Sequence, residues 1–198
     1  RDHLDVVVIL WRLEDLAPDL LDAALASDAA AMDGLLEAID RLAGMVANLN
    51  RAFEGTVVVS TPPYPSLPTW DPKQLGQAAS GSAIHRRLLQ HWMDLIGEIE
   101  QVQVLDLEGL LRNAGQAASQ DPRTWYLYRQ PYVDRFWAII ANQLARLVIA
   151  RNRSPRKCLE VDCDNTIWGG VVGEDGLDGI ELGEDFPGLA FRDFQKVV

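Results

Sequence analysis

The feature that most constrains the fold is the alternation of short apolar β-rich runs with longer amphipathic stretches along most of the chain. The run from Asp5 to Trp11 is continuously apolar after its first residue, as in a strand covered on both faces. Further runs at Thr56–Ser60 and Val102–Asp106 indicate two more strands. Because helical stretches follow the strands, right-handed crossovers are expected. The sequence therefore predicts an α/β fold with a mainly parallel sheet and helices on both faces.

Three amphipathic helices are predicted from apolar residues that recur every three or four positions. The first carries Met32, Leu35, Leu36, Ile39, Leu42, Val46, Leu49 and Phe53, with Gly55 expected as its C-terminal cap. The second extends from about Ile84 to Ile99 and the third from about Tyr132 to Asn152. The proline-rich segment Thr61–Pro72 is expected to run extended across the surface, where its rings could cover a cleft.

A domain boundary is predicted in the polar, basic and proline-containing segment Arg151–Lys157. We expect a first domain over 1–152, a linker over 153–157 and part of a second domain over 158–198. The chain begins with Arg1 and stops within a helical pattern near Val198, so we expect it to be a fragment of a longer protein.

The composition argues against two classes of partner. The net charge is −11, whereas nucleic acids and anionic membranes favour a cationic surface. From Asp162 onward there are nine acidic and two basic side chains, a formal charge of −7 that a divalent cation would offset. The two cysteines, Cys158 and Cys163, are five residues apart and would face opposite sides of one strand, so we expect no disulfide between them. With no long apolar run, we expect a cytoplasmic protein, unless a signal precedes the sequence.

The run from Cys158 to Gly170 indicates phosphoryl transfer. We expect a buried strand through Leu159 and Val161 whose tip projects two carboxylates. Asp162 would attack phosphorus, Asp164 would move protons, and both are candidate ligands for Mg²⁺. Thr166 and the loop amides would position the phosphoryl group. The glycine pairs Gly169-Gly170 and Gly173/Gly176 suit a hairpin that follows.

The stretch from Asp162 to Gly176 resembles motif I and the flap hairpin of the haloacid dehalogenase (HAD) superfamily, and is most similar to its FkbH-like branch. The resemblance is strong over about Lys157–Gln195, where it implies the start of a HAD-type Rossmannoid domain. Upstream, the chain more weakly resembles the SGNH-hydrolase α/β fold. FkbH-like enzymes of polyketide biosynthesis transfer a glyceryl unit from 1,3-bisphosphoglycerate to an acyl carrier protein and remove phosphate. The resemblance implies these activities and partners, with Mg²⁺ as cofactor.

Residue roles follow from the resemblance. Asp162 would be the phosphoryl nucleophile and metal ligand, and Asp164 the acid/base residue, with Thr166 beside them. Cys163 is either an acyl acceptor or a buried inert thiol. The superfamily's downstream Ser or Thr, Lys and acidic ligands fall outside the sequence, so we expect this chain alone to be a poor catalyst. A generic Mg²⁺-dependent phosphatase and a noncatalytic carrier-docking module remain alternatives.

Three weaker features leave alternatives open. The chain has no Gly-Asp-Ser block, and its histidines have no triad spacing, so esterase chemistry has little support. The aromatic segment Trp125–Tyr132 could line a pocket or dock a partner, or simply pack in the core. A basic cluster could dock an acidic carrier protein or form a solvated linker. Its members are Arg146, Arg151, Arg153, Arg156 and Lys157.

Overall fold

The computed structural model describes residues 5–26, 28–65, 80–154 and 157–198. The chain divides into two compact units, Arg1–Asn152 and Arg153–Val198. In the described ranges, no helix has both the length and the apolar character needed to cross a membrane. Of the proline-rich segment, only Thr61–Pro65 is described, without regular structure; the prediction for 66–72 lies outside the described residues.

The first unit is built on a three-stranded parallel sheet. Its strands are β1 (Val6–Ile9), β2 (Thr56–Ser60) and β3 (Gln103–Leu105), arranged in the order β1-β2-β3. Val7 lies opposite Val57 in the first ladder, and Val59 lies opposite Val104 in the second. The α/β fold with a parallel sheet is confirmed.

Helices connect the strands and follow the last one. Those of the first unit are α1 (Leu13–Leu16), α2 (Pro18–Leu25), α3 (Ala29–Ala52), α4 (Gly81–Gly97), α5 (Leu107–Ala114), α6 (Gln116–Ser119), α7 (Pro122–Tyr128) and α8 (Asp134–Asn152). The three long helices α3, α4 and α8 correspond to those that the apolar periodicity predicts. The short helices α1, α2 and α5 to α7 are absent from the prediction.

Alternate residues of β2 enter two separate cores, because successive strand side chains point to opposite faces. Val57 and Val59 pack into a cluster with apolar residues of α2, α3 and α4. Val58 packs into a second cluster with apolar residues of α5 and α8. All three valines are fully buried, so helices cover both faces of the sheet as predicted.

The carboxyl end of β2 is fixed by two tryptophans. The indole N–H groups of Trp11 and Trp92 both donate to the Ser60 carbonyl oxygen, at 3.0 and 3.1 Å. The Trp11 backbone N–H donates to Ser60 Oγ at 3.2 Å, and the two rings meet edge to face with centroids 4.8 Å apart. These bonds tie the end of β1 and helix α4 to the same strand end.

The expected role of Gly55 as a helix cap is wrong. Helix α3 ends at Ala52, and its C-cap residue is Phe53 in an extended conformation. A Cβ atom at Gly55 would lie 2.5 Å from the Asp5 carbonyl oxygen and equally close to the Phe53 ring. Position 55 therefore requires glycine, because any side chain there would clash with the Asp5 carbonyl that precedes β1.

The second unit contains little regular structure in its described residues. Its helices are α9 (Val172–Asp175) and α10 (Gly188–Gln195), with a 3₁₀ turn at Leu177–Gly179. The predicted buried strand at 158–161 is wrong: this segment has no strand hydrogen bonds, and Leu159 is 69% exposed. A parallel strand needs a neighbouring strand, and the described residues of this unit supply none.

Candidate functional site

The segment 162–170 forms a compact loop closed by backbone hydrogen bonds. The Cys163 carbonyl accepts the N–H groups of Thr166 at 3.2 Å and Ile167 at 2.9 Å. Asn165 adopts a left-handed conformation, with φ of 54°. It exchanges two bonds with Gly170: its N–H donates to the Gly170 carbonyl at 3.2 Å, and its Oδ1 accepts the Gly170 N–H at 3.0 Å. The loop that carries the carboxylates is therefore held at both ends.

Asp164 is fixed by two donors. Its Oδ1 accepts the Trp168 indole N–H at 3.1 Å and the Val172 backbone N–H at 3.2 Å. Neither partner was anticipated from the sequence, although Trp168 follows Asp164 by four residues across the loop. Since the side chain is half-buried, these bonds orient the carboxylate before any substrate arrives.

Asp162 and Cys163 lie on the exposed side of the loop. Asp162 Oδ1 accepts the N–H of Cys163 at 2.8 Å, and the carboxylate is otherwise accessible to solvent. Cys163 and Cys158 are both free and exposed, which excludes a buried thiol at Cys163. Thr166 contributes its backbone N–H to the loop and is half-buried. The four predicted site residues thus share one loop; of these four, Asp162 and Cys163 are exposed, and Asp164 and Thr166 are half-buried.

The segment after this loop returns in a hairpin-like path. Gly169 and Glu181 exchange two backbone hydrogen bonds, at 3.1 and 2.8 Å, in an antiparallel bridge. Gly170 and Gly176 adopt positive φ values of 91° and 66°, whereas Gly173 does not. Helix α9 and the 3₁₀ turn occupy the connection. The expected hairpin is present as a single bridge around a helical turn.

The loop carries two acidic side chains that could bind a metal ion, Asp162 and Asp164. Within the described ranges, no cluster of three or more His, Cys, Asp or Glu side chains could hold a metal ion. Asp162 and Asp164 offer carboxylate oxygens, which are hard donors suited to Mg²⁺. Backbone carbonyls, water and substrate oxygens would add to these two carboxylates as ligands.

The other features singled out in the sequence lie in the first unit. His85 is buried on α4, with its Nε2 3.0 Å from the Pro62 carbonyl oxygen. His91 on the same helix pairs instead with Asp40, at 2.7 Å. Arg151 of the basic cluster donates to the Gln101 carbonyl at 2.6 Å. The aromatic segment Trp125–Tyr132 is only partly buried: Tyr132 packs in the core, whereas Tyr126 is 71% exposed.

Comparison with known proteins shows a likeness in fold. No family model and no curated protein sequence matches the chain. Among solved structures, the chain is similar to a crystal structure of the N-terminal part of the protein BF1531 from Bacteroides fragilis, described as containing a phosphatase domain complexed with Mg. The TM-score is 0.70 at 23% identity, over 98% of this chain and 50% of that one. The chain therefore spans about half the length of that crystallised N-terminal part.

Proposed function

We propose that the loop 162–170 belongs to a Mg²⁺-dependent phosphoryl-transfer enzyme. The proposal is carried by the different settings of two carboxylates on one loop. Asp164 accepts hydrogen bonds from Trp168 and Val172, whereas the Asp162 carboxylate is exposed to solvent. A nucleophile must reach phosphorus, whereas an acid/base residue must be held in place. The similar fold of a protein described as a phosphatase with Mg supports this choice.

The chemistry follows from these positions. An Asp162 carboxylate oxygen attacks phosphorus in line, the bond to the leaving oxygen breaks, and an aspartyl phosphate forms. Asp164 gives its proton to the leaving oxygen and later takes one from the water that hydrolyses the aspartyl phosphate. The loop N–H groups near Thr166 help to orient the phosphoryl oxygens.

Magnesium suits this donor set. Mg²⁺ in phosphoryl-transfer sites is held by one or two carboxylates together with water and substrate phosphate. Asp162 and Asp164 would supply those carboxylates, in a unit whose acidic excess a cation would offset. When bound, the ion neutralises charge on the phosphoryl oxygens.

The more specific proposal is glyceryl transfer of the FkbH-like kind. The exposed Cys163 thiol, next to the nucleophile, would attack the acyl carbon of 1,3-bisphosphoglycerate and expel phosphate, giving a thioester. Exchange with an acyl carrier protein thiol would load the carrier, and the remaining phosphate would be removed through Asp162. Exposure of Cys163 supports this proposal over a plain phosphatase, in which the thiol has no role.

The test incubates full-length protein with Mg²⁺, 1,3-bisphosphoglycerate and an acyl carrier protein, and measures the carrier by intact-protein mass spectrometry. A glyceryl thioester on the carrier is expected. Free phosphate without carrier loading would favour the generic phosphatase instead. Carrier binding by the protein with neither reaction would favour a noncatalytic docking module, and charge reversal of Arg151 and Lys157 would then locate the contact.

A further inference from the structure

The acid/base carboxylate of the phosphoryl-transfer loop is held through one of its two oxygens. The Trp168 indole N–H and the Val172 backbone N–H both donate to Oδ1 of Asp164, at 3.1 and 3.2 Å. Since a carboxylate oxygen has two lone pairs, these two donors fill the acceptor capacity of Oδ1. No hydrogen bond to Oδ2 forms among the described residues. In the acid form of Asp164 the proton therefore resides on Oδ2, and this is the oxygen that can give it to a substrate.

The Val172 donor belongs to a short turn that is closed on itself. The Val171 N–H donates to Asp175 Oδ2 at 2.8 Å. The Val171 carbonyl accepts the N–H groups of Glu174 at 3.0 Å and Asp175 at 2.8 Å. These three bonds fix the geometry of the turn 171–175 around helix α9. The position of the Val172 N–H relative to Asp164 therefore depends on how this turn is joined to the loop.

Asn165 joins the turn to the loop through Gly170, the residue immediately before the turn. The Asn165 side-chain Oδ1 accepts the Gly170 N–H at 3.0 Å, and the Asn165 backbone N–H donates to the Gly170 carbonyl at 3.2 Å. Both residues have left-handed backbones, with φ of 54° for Asn165 and 91° for Gly170. Asparagine adopts this conformation more readily than most residues that carry a side chain, and it adds an acceptor that glycine lacks. These two properties together account for asparagine at position 165.

We propose that Asn165 is a positioning residue for proton transfer by Asp164, an inference that rests on the proposed phosphoryl-transfer function. Asn165 acts through Gly170 and Val172 rather than on the substrate. It places the turn 171–175 so that the Val172 N–H, together with the Trp168 indole, occupies Oδ1 of Asp164 and leaves Oδ2 to carry the proton. The step that depends on Asn165 is the one in which the bond from phosphorus to the leaving oxygen breaks and Oδ2 gives its proton to that oxygen.

A leaving group that needs no proton separates this role from a general structural one. The alkoxide of an alkyl phosphate is a strong base and leaves with a proton from Asp164, whereas 2,4-dinitrophenolate is a weak base and leaves without one. A misplaced Asp164 carboxylate should therefore slow the cleavage of an alkyl phosphate and spare that of 2,4-dinitrophenyl phosphate. A general loss of folding or of Mg²⁺ binding would slow both equally.

The test compares kcat/KM of the full-length protein with Mg²⁺ on sn-glycerol 3-phosphate and on 2,4-dinitrophenyl phosphate. Asn165→Gly keeps the left-handed backbone but removes the side-chain acceptor, so the ratio of alkyl to aryl kcat/KM should fall at least about tenfold. Asn165→Asp keeps an acceptor and tolerates the same φ, so its ratio should remain close to the native one. Asp178→Gly, at an exposed position of the same unit, is the matched control for added backbone freedom and should keep the native ratio.

A second measurement follows the turn itself without an activity assay. Hydrogen–deuterium exchange of the full-length protein, read by mass spectrometry in the peptide that contains 171–175, should be faster in Asn165→Gly and native in Asn165→Asp and Asp178→Gly. Unchanged exchange, an unchanged ratio, or an equal loss on both substrates in Asn165→Gly would overturn the positioning role and leave the phosphoryl-transfer proposal in place. If the native protein cleaved neither substrate, phosphoryl transfer itself would be refuted, and this inference with it.

Discussion

Replacing Asp164 separates the structural role of its carboxylate from its chemical role. Asp164→Ala leaves the Trp168 indole N–H and the Val172 N–H without their acceptor. Hydrogen bonds to a charged acceptor contribute about 1.5–3 kcal/mol when buried. Because Asp164 is only half-buried, we take about 1 kcal/mol for each bond, or about 2 kcal/mol together. Asp164→Asn keeps a neutral acceptor and should cost less than half of that.

The assay is amide hydrogen exchange measured by NMR. A loss of about 2 kcal/mol should speed exchange at the Val172 amide by about 30-fold in Asp164→Ala, and by about fivefold or less in Asp164→Asn. Asp178→Ala, which removes an exposed acid from the same unit, should change nothing at Val172. Equal exchange rates in the native protein, Asp164→Asn and Asp164→Ala would refute the argument that these two bonds hold the loop.

The same pair of variants tests the proton-transfer role in the full-length protein. An amide cannot carry the proton, so phosphate release by Asp164→Asn should fall by about 10²–10⁴-fold although its loop is retained. If Asp164→Asn kept native turnover, Asp164 would be a structural residue alone.

Three further predictions concern the thiol, the buried tyrosine and the strand end. Cys163→Ala should abolish carrier loading by the full-length protein but spare phosphate release, with Cys158→Ala as the matched exposed-thiol control; loading by Cys163→Ala would remove the acceptor role. Burial raises the pKa of Tyr132 above that of an unfolded tyrosine, so folding favours the protonated phenol. The stability that this gives is complete below about pH 10 and is lost as the pH rises further. Tyr132→Phe should abolish that loss in urea unfolding measured across alkaline pH, and an unchanged profile would contradict this assignment. Ser60→Ala should lower the free energy of unfolding by about 1–3 kcal/mol, because the Trp11 N–H loses its acceptor; a cost near zero would show that water replaces it.

The first unit was largely predictable because its signals are local. The continuous apolar runs at β1 and β2 have the composition of buried parallel strands, and the period of α3 is regular over its length. Gly55 shows the limit of such signals. A glycine after a helix suggests a cap, whereas here the approach of the Asp5 carbonyl decides the residue, and that contact joins distant parts of the chain.

The sequence identifies the residues of the candidate site, but it does not predict the structure of the segment that precedes them. The spacing of Asp162, Asp164 and Thr166 identifies the loop, but the apolar residues before it do not form a strand in the structure, since strand pairing depends on neighbours that a local pattern cannot supply. A cavity of about 390 Å³ beside Arg12 was missed for a similar reason, because its lining residues come from α1, α6 and α7, which only the fold brings together.

The most direct test of the central claim is to trap the phosphoryl-enzyme. Full-length protein with Mg²⁺ and acetyl phosphate would be quenched, reduced with borohydride and mapped by peptide mass spectrometry. The account predicts that residue 162 is reduced to homoserine, only when Mg²⁺ is present, and that Asp162→Asn is neither labelled nor active. Labelling of a different residue, or native turnover by Asp162→Asn, would contradict the assignment of Asp162 as the nucleophile.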